Sequence, residues 1–350
     1  MNRSNTTICN NFISELNQAI GDQSFDSVFV LVDDHTRLYC LPLVLTSEML
    51  STCQIIAIPS GDEHKTIQTA IQIWEFLCNH GATRKSLMIN VGGGMISDIG
   101  GFAASTFKRG IRYINVSTTL LGAVDAATGG KTGINFGGLK NEIGVFAPAD
   151  AVLINIDFFK TLDTENLRSG FAEMLKHGLI DTRNEWENIT TFDLEKFDLT
   201  ELNPLLQKSF SIKERIVKED PHEKGIRKAL NLGHTFGHAF ESYSYKIGHP
   251  VLHGYAVAWG LLCELFLSNR KLGFPENDLK RLTELVKKYY GLFHINLDDY
   301  QTLIELMTHD KKNESKKINF TLLKNVGEIQ IDHTATNAEI IACFDWYCKL

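Results

Sequence analysis

The stretch Ser86–Phe102, SLMINVGGGMISDIGGF, decides how the chain is read. A short apolar run leads into three consecutive glycines, Gly92 to Gly94, and then into helix-forming sequence. Glycines at such a junction let the backbone approach a phosphate, whose charge is favoured at a helix N-terminus. The spacing is not GxGxxG, so it supports the usual dinucleotide-binding fold only in part. A tight turn without a ligand leaves the same local pattern.

Working outward, SVFVLVDD, QIIAIPS, IRYINVSTT and AVLINID repeat the short β-branched run, with amphipathic stretches between them. Strands that alternate with helices predict a mostly parallel sheet wrapped by helices. KTIQTAIQIWEFLCNHG is the clearest crossover helix, with Gly81 placed to end it. Beyond Phe158 the pattern turns to long helices, as in ENLRSGFAEMLKHGLI and YAVAWGLLCELFLSNRKL. The predicted architecture is α/β: an N-terminal Rossmann-like parallel-sheet domain over 1–155, then a mainly α-helical domain over 156–350.

Composition narrows the function. The 350 residues hold 35 basic and 42 acidic side chains, a net charge of −7, with the basic residues scattered. Nucleic acid is therefore not expected as a main partner. The seven cysteines form an odd set without a CxxC pair, which fits reduced thiols rather than a disulfide framework. No apolar run reaches the length of a membrane span, so a soluble cytoplasmic protein is expected.

Four further stretches carry chemistry. STTLLGAVDAATGGKTGINFGGLKNEIGVF mixes Thr118, Thr119, Asp125, Lys131, Lys140 and Asn141 among glycines, a set suited to a polyanionic ligand held by charge-assisted hydrogen bonds. SGFAEMLKHGLI puts Glu173 three residues before Lys176 on an apolar helix, where a buried carboxylate needs a cation or a metal. LNLGHTFGHAFES places His234 and His238 four apart, on one face of a helix, and HPVLHGYAVAWG adds His249 and His253. A lone HxxxH also serves ordinary packing. One carboxylate with two imidazoles and an open position is, however, the pattern of a catalytic divalent metal. Glu173 with any two of His234, His238 and His253 satisfies it, and spacing does not choose among them.

Taken in order, GGGMISDIGGFAASTFKRGI, the Ser117–Phe146 stretch, SGFAEMLKHGLI, GIRKALNLGHTFGHAFES and HGYAVAWG resemble the 3-dehydroquinate synthase family of the shikimate pathway. The similarity runs from about Asp33 to the DKK at 310–312. It implies a dehydroquinate synthase-like fold, NAD and a divalent metal, zinc or cobalt, as cofactors, and a homodimer. By this resemblance the metal ligands are Glu173, His234 and His253, and His238 relays protons near the substrate. The implied NAD residues are Asp33, Asp62, Lys65, Gly93, Gly94, Asp98, Thr118, Thr119, Leu121, Phe158, Thr161 and Leu162, joined by Asp125, Lys131 and Lys140.

The implied substrate is a phosphorylated sugar acid, 3-deoxy-D-arabino-heptulosonate 7-phosphate, converted to 3-dehydroquinate and phosphate. Its implied binding residues are Arg109, Asp125, Lys131, Lys140, Asn141, Lys176, Lys213, Arg227, Asn231 and His238, with Lys311 and Lys312 near the C-terminal end. Of these, Lys131, Asn141, Lys176, Lys213 and His238 are the implied catalytic residues. Arg227 is the expected carboxylate partner, because a guanidinium fork matches a carboxylate. Where the family often carries Glu, in HGEAVA, this chain has Tyr255. Two residues past His253 on a helix, Tyr255 is expected to point away from the metal and either to pack or to make a hydrogen bond beside the ligands.

Overall fold

A computed structural model describes residues 5–21, 24–126, 129–137, 139–308 and 318–350. The chain divides into two compact units, Met1–Asp163 and Thr164–Leu350.

The first unit runs β1 (Asn5–Ile8), α1 (Phe12–Ile20), β2 (Val28–Asp33), α2 (Asp34–Tyr39), α3 (Leu41–Val44), β3 (Gln54–Ile58), α4 (Ile67–Asn79), β4 (Leu87–Gly92), α5 (Gly94–Thr106), β5 (Arg112–Ser117), β6 (Lys131–Phe136), β7 (Leu139–Phe146) and β8 (Ala151–Ile154). Six strands form one sheet in the order β1-β8-β5-β4-β2-β3, and every neighbouring pair is parallel. Every residue of the central β4 is buried, as expected where helices cover both faces of a parallel sheet. On α4 the buried residues Thr69, Ala70, Ile73 and Leu77 form one stripe. Thr66 caps its start by accepting from Thr69 N, and Gly81, at φ +72°, turns the chain away past its end.

The expected strands are all present. Two features of this unit were not expected from the sequence. β1 adds a parallel edge strand beside β8. Part of the glycine-rich Ser117–Phe146 stretch is an antiparallel hairpin, in which Lys131 pairs with Phe146 and Gly133 with Gly144. A Cβ on Gly144 would sit 2.3 Å from Thr132 O, so the two strands meet where only glycine fits.

The second unit contains α6 (Thr164–Ile180), α7 (Arg183–Thr191), α8 (Leu199–Glu219), α9 (His234–Lys246), α10 (His253–Leu272), α11 (Glu276–Tyr289), α12 (Tyr300–Thr308), the antiparallel pair β9 (Asn319–Asn325) and β10 (Glu328–Thr334), and α13 (Asn337–Tyr347). Fourteen of the residues of α10 are buried, so it forms the centre of the bundle and packs against α6, α9 and α13. Glycines set the closest approaches. A Cβ on Gly254 would lie 1.9 Å from Ser169 O of α6, and one on Gly260 would lie 1.9 Å from Gly233 O at the start of α9. Backbone therefore rests on backbone at both contacts, with no side chain to act as a spacer. All seven cysteines are free. Among the described residues no helix is long and apolar enough to cross a membrane.

Candidate active site

In the first unit the strand order reverses between β2 and β4, since β3 lies outside β2 and the chain then crosses to β4 on its other side. Ligands of open α/β sheets bind beyond the carboxyl ends of strands at such a point. Asp33 closes β2 there and Gly92 closes β4. The N-cap of α5 is Gly93, which offers no side chain to the first-turn N–H groups. A Cβ on Gly93 would meet Thr119 Cγ2 at 2.9 Å, and one on Gly122 would meet Ser117 Oγ at 2.7 Å. The turns after β4 and β5 thus come together with the width of a hydrogen atom to spare. Asp33 Oδ1 accepts from Thr36 N at 2.7 Å and from Thr36 Oγ1 at 2.9 Å, which fixes the carboxylate as the cap of α2.

A charge cluster lies in the same unit. The buried Lys65 Nζ reaches Asp98 Oδ2 at 3.1 Å and Asp62 Oδ1 at 3.2 Å, while Lys140 Nζ is 3.0 Å from Asp62 Oδ2. Asn135, which the sequence did not single out, donates to Asp62 O at 3.0 Å and accepts from Asn141 N at 3.0 Å. Burial pushes the Asp98 carboxyl above its ordinary value in spite of Lys65. At Asp62 burial acts in the same direction, but Lys65 and Lys140 together outweigh it and hold that carboxyl below the usual range.

The remaining expected residues of this unit are spread more widely. Thr118 N donates to Gly92 O at 3.1 Å, Thr119 Oγ1 accepts from Gly122 N at 3.0 Å, and Leu121 follows. Asp125 sits in the π-helical turn Gly122–Ala126, and Lys131 is exposed at the start of β6. Phe158 is buried, its ring edge-on to Phe12 at 5.0 Å; Thr161 Oγ1 donates to its carbonyl, and Leu162 follows. Arg109, in left-handed backbone at φ +70°, lies past the far end of α5 from Gly94. The length of that helix puts its backbone roughly 20 Å from the glycine turn.

The second unit gathers the metal-type donors. Glu173 is fully buried on α6 and pairs with Lys176 one turn later. Its Oε1 lies 3.4 Å from His234 Nε2 and 3.6 Å from His253 Nε2. These are ion-pair contacts and not hydrogen bonds of ordinary geometry, so both carboxylate oxygens keep lone pairs in the interior. The other ring nitrogens are occupied: His234 Nδ1 faces Leu232 O at 3.1 Å and His253 Nδ1 faces Glu241 Oε2 at 3.1 Å. A histidine anchored through one nitrogen presents the other in a fixed direction, as metal ligands do.

The donor atoms of Glu173, His234 and His253 lie within 4.8 Å of one another, and those of His238, Glu241 and His253 form a second such group. The His238 ring is centred 5.3 Å from that of His234 and 5.9 Å from that of His253. Burial disfavours ionisation of Glu173, yet Lys176 and His234 outweigh it and hold the carboxyl well below its ordinary value. A buried carboxylate facing two imidazole nitrogens fits a divalent cation, zinc being the usual one for this donor set.

In the same unit, Lys213 is buried on α8 and Arg227 is buried in the turn Ile226–Asn231. Arg227 Nη1 donates to Pro221 O at 2.7 Å, and Asn231 Nδ2 donates to Glu223 Oε1 at 2.8 Å. Lys311 and Lys312 lie outside the described residues. Sequence reasoning missed Glu241. Its signal was present, because two turns after His234 and one after His238 it shares their helix face.

A nucleotide-type parallel sheet followed by a helical unit with a Glu-His-His donor cluster defines the dehydroquinate synthase-like class. Residues 55–169 match the family model for the 3-dehydroquinate synthase N-terminal region, and residues 170–313 match that for its C-terminal region. The chain belongs to the 3-dehydroquinate synthase family. It is 49% identical, over 99% of its length and 98% of the relative's, to a 3-dehydroquinate synthase of Parabacteroides distasonis.

Two solved structures share the fold. A 2-epi-5-epi-valiolone synthase of Streptomyces hygroscopicus with NAD+ and Zn2+ bound has a TM-score of 0.86 at 22% identity, over 99% of this chain and 97% of that one. A 2-deoxy-scyllo-inosose synthase complexed with carbaglucose-6-phosphate, NAD+ and Co2+ has a TM-score of 0.83 at 23% identity, over 98% and 96%.

Proposed function

We propose that this protein converts 3-deoxy-D-arabino-heptulosonate 7-phosphate into 3-dehydroquinate and phosphate, with NAD and a divalent metal, zinc or cobalt, as cofactors. The observation that carries the reading is the convergence of Glu173 Oε1 with His234 Nε2 and His253 Nε2 in a chain of this family. Glu173, His234 and His253 hold the metal. The glycine turn at Gly93 and Gly94, with Asp33, Thr118 and Thr119, holds NAD. When bound there, NAD would supply a reversible hydride acceptor for C5 of the substrate, and the metal would supply a Lewis acid for the C5 hydroxyl.

The chain's own residues bind and orient. Lys131, Lys140, Lys176 and Lys213 hold the substrate's phosphate and other anionic oxygens by charge-assisted hydrogen bonds. Arg227 takes the carboxylate in its fork, and its Nη1 bond to Pro221 O keeps that fork oriented. Asn141 and Asn231 orient hydroxyls, and His238 moves a proton at its ring nitrogen beside the metal ligands. A C5 ketone acidifies the C6 proton, which passes to the lysine-held phosphate as the C7–O bond breaks. Ring opening and an intramolecular aldol step then close the carbocycle. In the same reading the protein acts as a cytoplasmic homodimer with no nucleic-acid or membrane partner.

The test is phosphate release from the heptulosonate phosphate with chelator, without chelator, and with NAD removed. Loss of release in both depleted samples, restored by zinc or cobalt and by NAD, is expected. Net accumulation of NADH at 340 nm would mean a dehydrogenase instead.

A further inference from the structure

We infer that Glu264 is a positioning residue for His234, holding the first turn of α9 in the place where a helix ordinarily has its own capping side chain. The inference rests on reading Glu173, His234 and His253 as metal ligands. His234 is the first residue of α9, so its direction depends on how that helix begins. The N-cap is Gly233, in left-handed backbone at φ +81°, and no side chain caps the helix locally. Helix starts normally draw on Ser, Thr, Asp or Asn for this purpose.

Here the acceptor comes from α10. Glu264, with no exposed surface, takes Gly233 N on Oε2 at 2.6 Å and Thr235 N on Oε1 at 2.9 Å, with Phe236 N at 3.4 Å from Oε1. One carboxylate therefore holds the N–H of the residue before His234 and the N–H groups of the two residues after it. Its negative charge also faces the positive end of the α9 dipole.

The same helix carries the other imidazole. Eleven residues separate His253 from Glu264 on α10, about three turns, so the two side chains leave the same face. Between them Gly260 lets the start of α9 rest on the α10 backbone. The distance between the two imidazoles is thus set by one rigid element: directly at His253, and through Glu264 at His234. Gln in place of Glu264 has the same shape but turns an NH2 group toward a backbone N–H. One of the first-turn donors then loses its acceptor.

The test measures zinc affinity by chelator competition in the full-length chain. Glu264→Gln should bind zinc about 10- to 100-fold more weakly than the unmodified protein, the range seen when a residue supporting a ligand is lost, with NAD affinity unchanged. Ser268→Ala is the control. One turn further along α10, it removes the oxygen that accepts from Leu323 N at 3.1 Å and donates to the backbone carbonyl of Glu264 at 2.7 Å; the Glu264 carboxylate keeps its own bonds to α9, so stability should fall without a change in zinc affinity. Unchanged zinc affinity in Glu264→Gln, or an equal loss in Ser268→Ala, would overturn the inference. Should Glu264→Gln not fold, Glu264→Asp, which keeps the charge but withdraws it by one methylene, is measured the same way. Wild-type affinity there overturns the inference equally. His234→Ala separates the two readings: if it keeps full zinc affinity, the metal-ligand assignment itself fails.

Discussion

Replacing Gly260 with Ala would place a methyl group 1.9 Å from Gly233 O and 2.6 Å from Gly237 N. In an open helix Gly→Ala stabilises by about 1 kcal/mol. Here the new Cβ lies about 1.5 Å inside the 3.4 Å at which ordinary contact begins, and both opposing atoms are backbone. No rotamer change relieves that overlap, so α9 and α10 must separate. Overpacking of this kind costs about 3 kcal/mol at the upper end, which leaves a net loss of about 2 kcal/mol after the helix-propensity gain. The shift also exceeds the roughly 0.2 Å tolerance of metal–ligand distances, so zinc affinity should fall at least about tenfold. Urea denaturation in chelator reads the first effect and zinc competition the second. A Gly260→Ala protein as stable as the original, with its zinc affinity intact, would refute the view that this contact sets the spacing of the helices and of the imidazoles.

Glu173→Gln should lose zinc while remaining folded, since the amide keeps the volume of the fully buried side chain; metal content by atomic absorption checks this, and full occupancy would remove Glu173 from the ligand set. Tyr255 packs edge-on against Tyr290 at 5.1 Å and Trp259 at 6.1 Å, so Tyr255→Phe should retain most turnover, and a folded, zinc-loaded variant with none would make the phenol a catalytic group. Glu339 is held down to about 2 by Lys271 and by the Thr336 N–H it accepts. A depressed carboxyl stabilises the folded chain above its ordinary value of 4.5 and loses that contribution as pH falls toward about 2. Solvent screens this pair, so Glu339→Gln should cost under about 1 kcal/mol at neutral pH, and the difference in urea midpoint should vanish by the lower limit; a gap that grows on acidification would reverse the sign.

Strands β2, β3, β4, β5 and β8 were legible because each is an apolar run bounded by turn residues, and all but the edge strand β3 are buried along nearly their whole length. The β6–β7 hairpin was not: its glycines and polar residues have low strand propensity, and they pair because Gly133 and Gly144 let two backbones approach. At the site, the spacing of His234 and His238 placed them on one face, but spacing left open which imidazoles Glu173 meets. That depends on how α6, α9 and α10 pack, which no local pattern records. Glu264 was hidden for the same reason, since it caps a helix to which it is not adjacent in sequence. The absence of a capping residue before His234 was the one local sign that an acceptor had to come from elsewhere.

The stretch of α10 between His253 and Glu264 also works as a ruler. At 100° per residue, Gly260 and Glu264 fall within about 20° of His253, so ligand, contact point and carboxylate form one stripe. Inserting a single residue would swing Glu264 through about 100° and move it about 1.5 Å along the axis. Inserting seven would restore the face but carry the carboxylate about 10 Å past the end of α9. No change of length within this interval leaves the stripe intact, whereas the turn between α7 and α8, with Asp198 capping a fresh helix, carries no such register. Family members that differ in length should therefore place their insertions outside this helix, and grafting the metal cluster onto another scaffold would require copying this interval residue for residue.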